Sequence, residues 1–511
     1  MFGFPTRRIR IVVQTAVFFL WVSLILVTHY PMDSWLASHV PVSLLLRIDP
    51  LVTTVVCGGL RIAVSITFLG FVTLGISLLL GRVFCGWVCP LGAIFDAYGW
   101  ILRRLRVKFE GPSPSYFRFK YYLLLAILIF AAVGGVSPLM GFDPIVLLTR
   151  VAAAVLMPFG RHPAQLTWEA GAAPGRYGYF FDFLTLFLFI GIMTATTKLS
   201  RVWCRVACPL GAYLGALSRN AVLRRDTTGC VHCNICSQHC PTGAISFDNA
   251  EVYNESECIK CFACSQECPV DANFFTWKNP LAALTTTHAP VELERRQFLT
   301  TAVFAAIAAP ALHLSGGAPA SHKKLLRPPM AREEHDFLTS CIRCEECIKA
   351  CPTGVLKPAP FEHGFRALWS PVMIPSEGFC QEGCNACSTA CPTDAIMKYP
   401  IEQKYAFKAG TAVFNASHCI TTTENKFCLE CVKVCPTDAI VVNKGWEPPG
   451  GGSSDQPAPK GSTPSMPMMV SYDRCVGCGH CEFVCNQIVP GEVAMLTTSF
   501  GRAMPTQLDK I

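Results

Sequence analysis

Charge is scarce in this sequence. Asp, Glu, Lys and Arg make up 15% of its 511 residues, against a hydrophobic share of 51%. With a mean hydropathy of +0.37, the chain is too apolar to be wholly soluble and too polar to be all bundle. Part of it should span a bilayer and part should stand in water. The length leaves room for three or four domains. There is no Cys-x-x-Cys-His to hold a covalent haem, and no histidine pair inside an apolar stretch for a b-type haem. A Ser–His–Asp set, a P-loop and a dinucleotide-type glycine fingerprint are missing too. The net charge of +8 would suit nucleic acid, but the basic residues flank apolar segments and no nucleic-acid motif accompanies them. No such partner is expected.

Cysteine is what the sequence has in excess. Of 29 cysteines, 24 fall into six quartets. Cys230, Cys233, Cys236 and Cys240 precede Pro241; Cys258, Cys261, Cys264 and Cys268 precede Pro269; Cys341, Cys344, Cys347 and Cys351 precede Pro352. The fourth set is stretched by one residue: Cys380, Cys384, Cys387, Cys391, then Pro392. The fifth has a long first gap: Cys419, Cys428, Cys431, Cys435, then Pro436. The sixth, Cys475, Cys478, Cys481 and Cys485, ends in Asn486.

Cluster chemistry requires this spacing. Three thiolates two residues apart wrap three iron corners of a [4Fe–4S] cubane, and the proline turns the chain away after the fourth. In a paired ferredoxin that fourth cysteine ligates the neighbouring cluster. One cluster is therefore expected on Cys230, Cys233, Cys236 and Cys268, and another on Cys258, Cys261, Cys264 and Cys240. Zinc sites use two ligand pairs across a longer loop, and disulfide frameworks do not repeat one run six times. Six [4Fe–4S] clusters correspond to about 24 iron and 24 sulfide.

Four apolar stretches, near Ile11–His29, Ile62–Leu80, Tyr121–Met140 and Gly178–Thr197, are each close to the length that crosses a hydrocarbon core. Arg7, Arg8 and Arg10 precede the first. Arg82, Arg103, Arg104, Arg106, Lys108, Arg118 and Lys120 separate the second from the third, and Lys198, Arg201, Arg205, Arg219, Arg224 and Arg225 follow the fourth. The opposite loops hold only Arg47, Arg61, Arg150, Arg161 and Arg176. The positive-inside rule puts the N-terminus and the first two clusters in the cytoplasm.

The apolar part is an internal repeat. Ile48-Asp49-Pro50-Leu51-Val52 precedes the second stretch and Phe142-Asp143-Pro144-Ile145-Val146 the fourth. Each stretch then runs into a Cys-x-x-x-Cys-Pro, at Cys85 and Cys89 and at Cys204 and Cys208. Two like halves suggest a pseudo-two-fold axis that brings these four cysteines together, as a redox-active thiol site or a further metal centre. Packing at the helix ends is the simpler role.

These features resemble a known family. The paired Cys-x-x-x-Cys-Pro motifs with the ferredoxin motifs at 230–268 are similar to NapH-type membrane ferredoxins, with relatives of the MauN and NosR kind. Residues 341–485, with the stretched, long-gapped and proline-less quartets, resemble the four-cluster NapG type. The chain thus reads as a fusion of the two. The resemblance implies an α-helical membrane bundle of four spans, with a fifth as an option, bearing α+β ferredoxin-like [4Fe–4S] domains. It implies an electron-transfer component of a quinol dehydrogenase that takes electrons from the membrane quinone pool to a periplasmic reductase or cytochrome. The alternative, also met among the relatives, is an accessory electron donor for metalloenzyme maturation. From resemblance to four-cluster electron-transfer subunits, Cys341, Cys344, Cys347 and Cys485 would share one C-terminal cluster. Cys475, Cys478, Cys481 and Cys351 would share another.

Between the halves, Glu294-Arg295-Arg296-Gln297-Phe298-Leu299-Thr300, an apolar run to Leu314 and Gly317-Ala318-Pro319-Ala320 read as a twin-arginine export signal. The expected order is a membrane bundle at 1–220, a cytoplasmic two-cluster domain at 221–290, the twin-arginine segment at 291–320 and a periplasmic four-cluster domain at 321–511, the whole a multi-pass inner-membrane protein. The Gly-, Pro- and Ser-rich stretch 448–467 should be a loop. Asp182, within the fourth stretch, is a candidate quinol-proton acceptor. Asp49 and Asp143 are candidates for helix caps or for lining a quinol site. His29 and His162 suit the membrane interface, and Cys57 a small apolar core position.

Overall fold

Long apolar runs satisfy their backbone as helices, and the computed structural model has helices in all four expected stretches. It describes residues 6–29, 43–60, 68–107, 118–134, 138–156, 178–246, 250–277, 293–315, 325–360, 364–442 except 425 and 427, and 468–502. His162, Gly317-Ala318-Pro319-Ala320 and the stretch 448–467 lie outside these, as do the side chains of His29 and Asp182. The chain divides into two units. The first is built mainly from Met1–Gly160 and Tyr179–Gly316, the second mainly from Gly317–Phe337 and Glu345–Ile511.

In the first unit the helices are α1 (Thr6–His29), α2 (Pro50–Leu60), α3 (Phe68–Leu80), α4 (Val83–Trp87), α5 (Pro90–Arg104) and α6 (Phe119–Gly134). They continue as α7 (Pro144–Leu156), α8 (Gly178–Ala195), α9 (Val202–Val206) and α10 (Pro209–Ser218). Helices α2 to α5 and α7 to α10 repeat one order: an Asp-Pro helix, an apolar helix, a one-turn helix, then a helix opened by Cys-Pro. Among the described residues only Arg7–Thr28 is both long and apolar enough to cross a membrane; the other apolar helices have 10–17 residues. Phe19, Phe68, Leu79, Phe187 and Phe304 are exposed on the outside of these helices. So much uncovered apolar surface is foreign to a protein surrounded by water.

Both Asp-Pro entries cap their helices. Asp49 Oδ1 accepts from Leu51 N at 2.8 Å and Val52 N at 3.3 Å. Asp143 Oδ1 accepts from Ile145 N at 2.9 Å and Val146 N at 3.3 Å. The twin-arginine segment forms one 21-residue helix, Arg295–Ser315, with Pro310 inside it. It packs along α6, and Glu294 just before it pairs with Arg118 at 2.7 Å.

The ferredoxin part of this unit is small. Strands β1 (Leu223–Asp226) and β2 (Phe274–Trp277) pair antiparallel, and Ile245 bridges Tyr253. It docks on the bundle through the buried segment Glu255-Ser256-Glu257. Glu257 receives Lys120 Nζ at 2.7 Å and Arg82 Nη1 at 3.1 Å, while Lys260 pairs with Glu255. Gly86 lies so close that a Cβ there would stand 2.2 Å from the Ile259 carbonyl oxygen, so no larger residue fits.

The second unit has three antiparallel strand pairs: β3 (Leu356–Pro358) with β4 (Pro371–Met373), β5 (Thr411–Phe414) with β8 (Met495–Thr498), and β6 (Ile440–Val442) with β7 (Met468–Val470). One of its cores consists of Ala412, Ile440, Met468 and Met495 together with Cys419, Cys431, Cys475 and Cys481. Thiols thus stand where a larger domain would have aliphatic side chains.

A buried carboxylate with two cations is costly to break from one side. Glu257→Gln should destabilise the first unit by about 3–5 kcal/mol, read as a lowered unfolding midpoint of the detergent-solubilised protein. Glu430→Gln, at an exposed pair, should leave the midpoint unchanged.

Candidate metal centres and the adjoining cavity

The ligand loops carry an unusual backbone. In the four evenly spaced quartets, the second and fourth residues after the first cysteine all have positive φ: His232 and Asn234, Lys260 and Phe262, Arg343 and Glu345, Gly477 and Gly479. The third residue after the fourth cysteine does likewise in all five Cys-Pro motifs: Gly243, Asp271, Gly354, Asp394 and Asp438. Nine of the thirteen non-glycine residues with positive φ are in these loops. Strain gathered at one kind of site marks function, and such turns aim successive N–H groups inward, as an anionic centre needs. Ala244 N, Ala439 N and Ala494 N each donate at 3.3 Å to the Sγ of Cys240, Cys435 and Cys485.

Fourth cysteines do exchange between neighbouring motifs. Cys240 lies beside Cys261 and Cys264, in line with the expected exchange. In the second unit Cys351 lines one cavity with Cys380, Cys384 and Cys387. Cys485 lines another with Cys419, Cys428 and Cys431, and Cys435 a third with Cys475, Cys478 and Cys481. This corrects the expected grouping of Cys485 with Cys341, Cys344 and Cys347, and of Cys351 with Cys475, Cys478 and Cys481. Motifs adjacent in sequence pair because strands β5 to β8 close the fifth and sixth motifs on each other. Cys380 N donates to Cys478 O at 2.8 Å, which sets two of these cavities side by side. Gly477 is required there: a Cβ would come within 2.4 Å of Gly410 N.

The donor sets fit clusters. All 29 cysteines are free, and each cavity is walled by four thiols and apolar side chains. Burial, with neighbouring thiols, pushes Cys380 and Cys431 up to about 12. Thiolates in such places need iron to neutralise them. Among the described residues no three Cys, His, Asp or Glu side chains converge as a single bound ion requires; a cubane instead holds its thiolates apart at four corners.

A cavity of about 1180 Å³ adjoins the first unit's ligands. It is lined by α1, α5 and the ferredoxin loops, with Phe18, Ile94, Ala97 and Trp100 on one side and His239, Cys240 and Cys261 on another. Asp96 is its anchor. Arg201 Nε donates to Asp96 Oδ1 at 2.8 Å, Gln14 Nε2 to Oδ2 at 2.9 Å, and Arg10 also pairs with it. Burial alone would raise the Asp96 pKa, but Arg201 and Arg10 outweigh it and hold the carboxyl below its usual range. His239 Nδ1 sits 3.0 Å from Ile235 O, which can only accept, so in the neutral ring Nε2 is left as acceptor. None of Arg10, Gln14, Asp96 and His239 stands out in the sequence. Asp49 and Asp143 do not line this cavity.

Cys85, Cys89, Cys204 and Cys208 do come together: all four are buried and belong to one core with the Asp-Pro helices. Beside them the fully buried Asp49 and Asp143 carboxyls meet. Each Oδ2 has no donor other than the opposite carboxyl. Burial, and for Asp143 the neighbouring Asp49, push both carboxyls up from the usual carboxylate range.

An apolar helical unit with a two-cluster ferredoxin part, followed by a unit built on further quartets, defines an iron–sulfur electron-transfer protein of the ferredoxin type. Models of 4Fe-4S binding domains match 62–108 with 181–227 and 338–357; dicluster models match 222–269 and 379–439, and a double-cluster model 425–487. The chain is 32% identical over 227 residues to the methylamine utilization ferredoxin-type protein MauM of Methylorubrum extorquens, covering 43% of this chain and 92% of that protein. It is 29% identical over 198 residues to the ferredoxin-type protein NapH of Escherichia coli, covering 38% of this chain and 60% of NapH. To NapG of the same organism it is 30% identical over 162 residues, 31% of this chain and 65% of NapG. The chain belongs to this NapH- and MauM/NapG-like family of ferredoxin-type proteins. It spans 48–64% of the length of the NapH and MauN relatives that it matches. No solved structure matches it.

Ligand exchange is testable by paired substitution. Cys351→Ser with Cys384→Ser should cost about four irons, since both serve one cluster. Cys351→Ser with Cys478→Ser should cost about eight; the reverse order of losses would restore the grouping that the structure displaces.

Proposed function

We propose that this chain is a membrane-bound component that oxidises quinol in the Asp96 cavity and delivers the electrons, through its clusters, to a periplasmic redox enzyme. The observation that carries the reading is the meeting of a large, mostly apolar cavity with Cys240 and Cys261, ligands of one cluster. Its volume exceeds the roughly 300–1,000 Å³ of ordinary small-molecule sites, enough for a quinol head and part of its tail. Bound clusters supply one-electron acceptors in series. The chain's own residues orient the quinol and take one of its protons. Asp96, kept ionised by its arginines, accepts a hydrogen bond from one hydroxyl, and His239 Nε2 takes a proton from the other. One proton leaves on His239 Nε2 and the other passes to water at the cavity mouth, as two electrons leave one at a time through the ligand side. Arg10 beside Cys261 and Arg205 beside Cys240 favour the extra negative charge of reduction.

The rest of the architecture suits this task. Helices α1, α3, α6 and α8 serve as the four spans, and the helix Arg295–Ser315 alongside α6 as a fifth that leads Cys341–Cys485 to the periplasm. The six ferredoxin quartets make a total of six ferredoxin clusters. The second reading, electron supply for metalloenzyme maturation, draws on the likeness to MauN and would appear as metal loss in a client enzyme without quinol turnover.

A light-activated azidoquinone should label segments 93–101 and 238–243, and Ala97→Trp, which fills the cavity, should abolish labelling. Labelling elsewhere, unaffected by Ala97→Trp, would remove the site from this cavity. His239→Gln should slow quinol oxidation about 10²- to 10⁴-fold. For topology, a reporter active only in the periplasm, fused after Ile511, should be active and be silenced by Arg295→Lys with Arg296→Lys. Activity of a cytoplasm-only reporter there would put all the ferredoxin clusters on one side.

A further inference from the structure

Four buried thiols remain outside the ferredoxin quartets. We propose that Cys85, Cys89, Cys204 and Cys208 together hold a further, seventh [4Fe–4S] cluster, shared between the two repeats of the first unit. The inference does not depend on quinol being the donor.

Ligand number is the first argument. Each of the stretches 62–108 and 181–227, which match a 4Fe-4S binding domain, contains only two cysteines beyond helix α2. Neither can enclose a cubane alone, whereas the structure brings the two pairs into one core. The two pairs also share one local geometry. Cys89 and Cys208 each stand at a helix N-cap with Pro next, and Cys208 Sγ accepts from Gly211 N at 3.1 Å.

Charge is the second argument. Arg82 and Arg201, both buried, flank the four thiols, Arg82 beside Cys85 and Cys208 and Arg201 beside Cys204. Two buried guanidiniums next to four buried sulfurs suit an anionic centre. A [4Fe–4S] core held by four thiolates is one.

Arg82 supplies the third argument. It is fully buried, yet its Nε and Nη2 have no hydrogen-bond partner. Nη2 lies 2.8 Å from where a Cβ on Gly211 would stand, and Cys208 Sγ lies 3.3 Å from the same point. Orphaned donors pressed against a ligand thiol await sulfur acceptors. Arg201 reciprocates across the repeat, donating to Gly92 O at 3.1 Å and Cys85 O at 3.4 Å. The location is useful. Gly86 of the first pair touches Ile259, next to Cys258, and Trp87 Nε1 donates to Lys260 O at 2.9 Å.

Iron analysis of the anaerobically purified full-length protein tests this. The wild type should hold about 28 iron and 28 sulfide rather than about 24, and replacing all four cysteines by serine should remove about four of each. The wild-type count does not require that the variant fold. About 24 or about 26 iron in fully loaded wild type would overturn the assignment. So would an unchanged count in the variant, or two disulfides at these positions in the wild type.

Discussion

One carboxylate ties the first unit together. Glu257 is the residue before Cys258, and it is the anion on which Arg82 of the first repeat and Lys120 of α6 converge. Through it the ferredoxin loop, the Cys-x-x-x-Cys-Pro loop and the helical bundle are fixed against one another with almost no solvent between them. Gly86 against Ile259 and Gly215 against Ser256 follow from that docking, since neither site admits a Cβ. Buried ion pairs of this kind are not obviously stabilising relative to apolar packing, but they fix register. Register is what electron transfer between centres needs. Here the arrangement sets the cavity around Asp96 directly against two cluster ligands.

Iron ligation dominates the second unit in another way. Its strands are three or four residues long, and its cores use cysteine where larger domains use leucine or isoleucine. Folding and cluster loading are coupled in such a unit. The repeated positive-φ residues belong to the same economy, because loops that must present N–H groups to sulfur adopt conformations that free peptides avoid.

Much of this was legible in the sequence, for identifiable reasons. Quartet spacing is local chemistry, so iron–sulfur binding could be read without a fold, and the 4Fe-4S domains that match agree with it. The Asp-Pro caps at Asp49 and Asp143 and the repeat of Cys-x-x-x-Cys-Pro are local too. The exchange of Cys351 and Cys485 was not readable, because it depends on which short strands pair across long stretches of chain, as in Thr411 with Thr498. The cavity was equally hidden. Arg10, Asp96, Arg201 and His239 come from four separate elements, and each alone looks like an ordinary interfacial residue.

The central claim is that quinol is the electron source for these clusters. Its most direct test is anaerobic mixing of a short-chain quinol with the cluster-loaded protein in lipid nanodiscs, followed by electron paramagnetic resonance. The account predicts signals of reduced [4Fe–4S] clusters from quinol alone, with quinone formed in proportion. Clusters that stay oxidised with quinol over a range of potentials, yet reduce fully with dithionite, would contradict it.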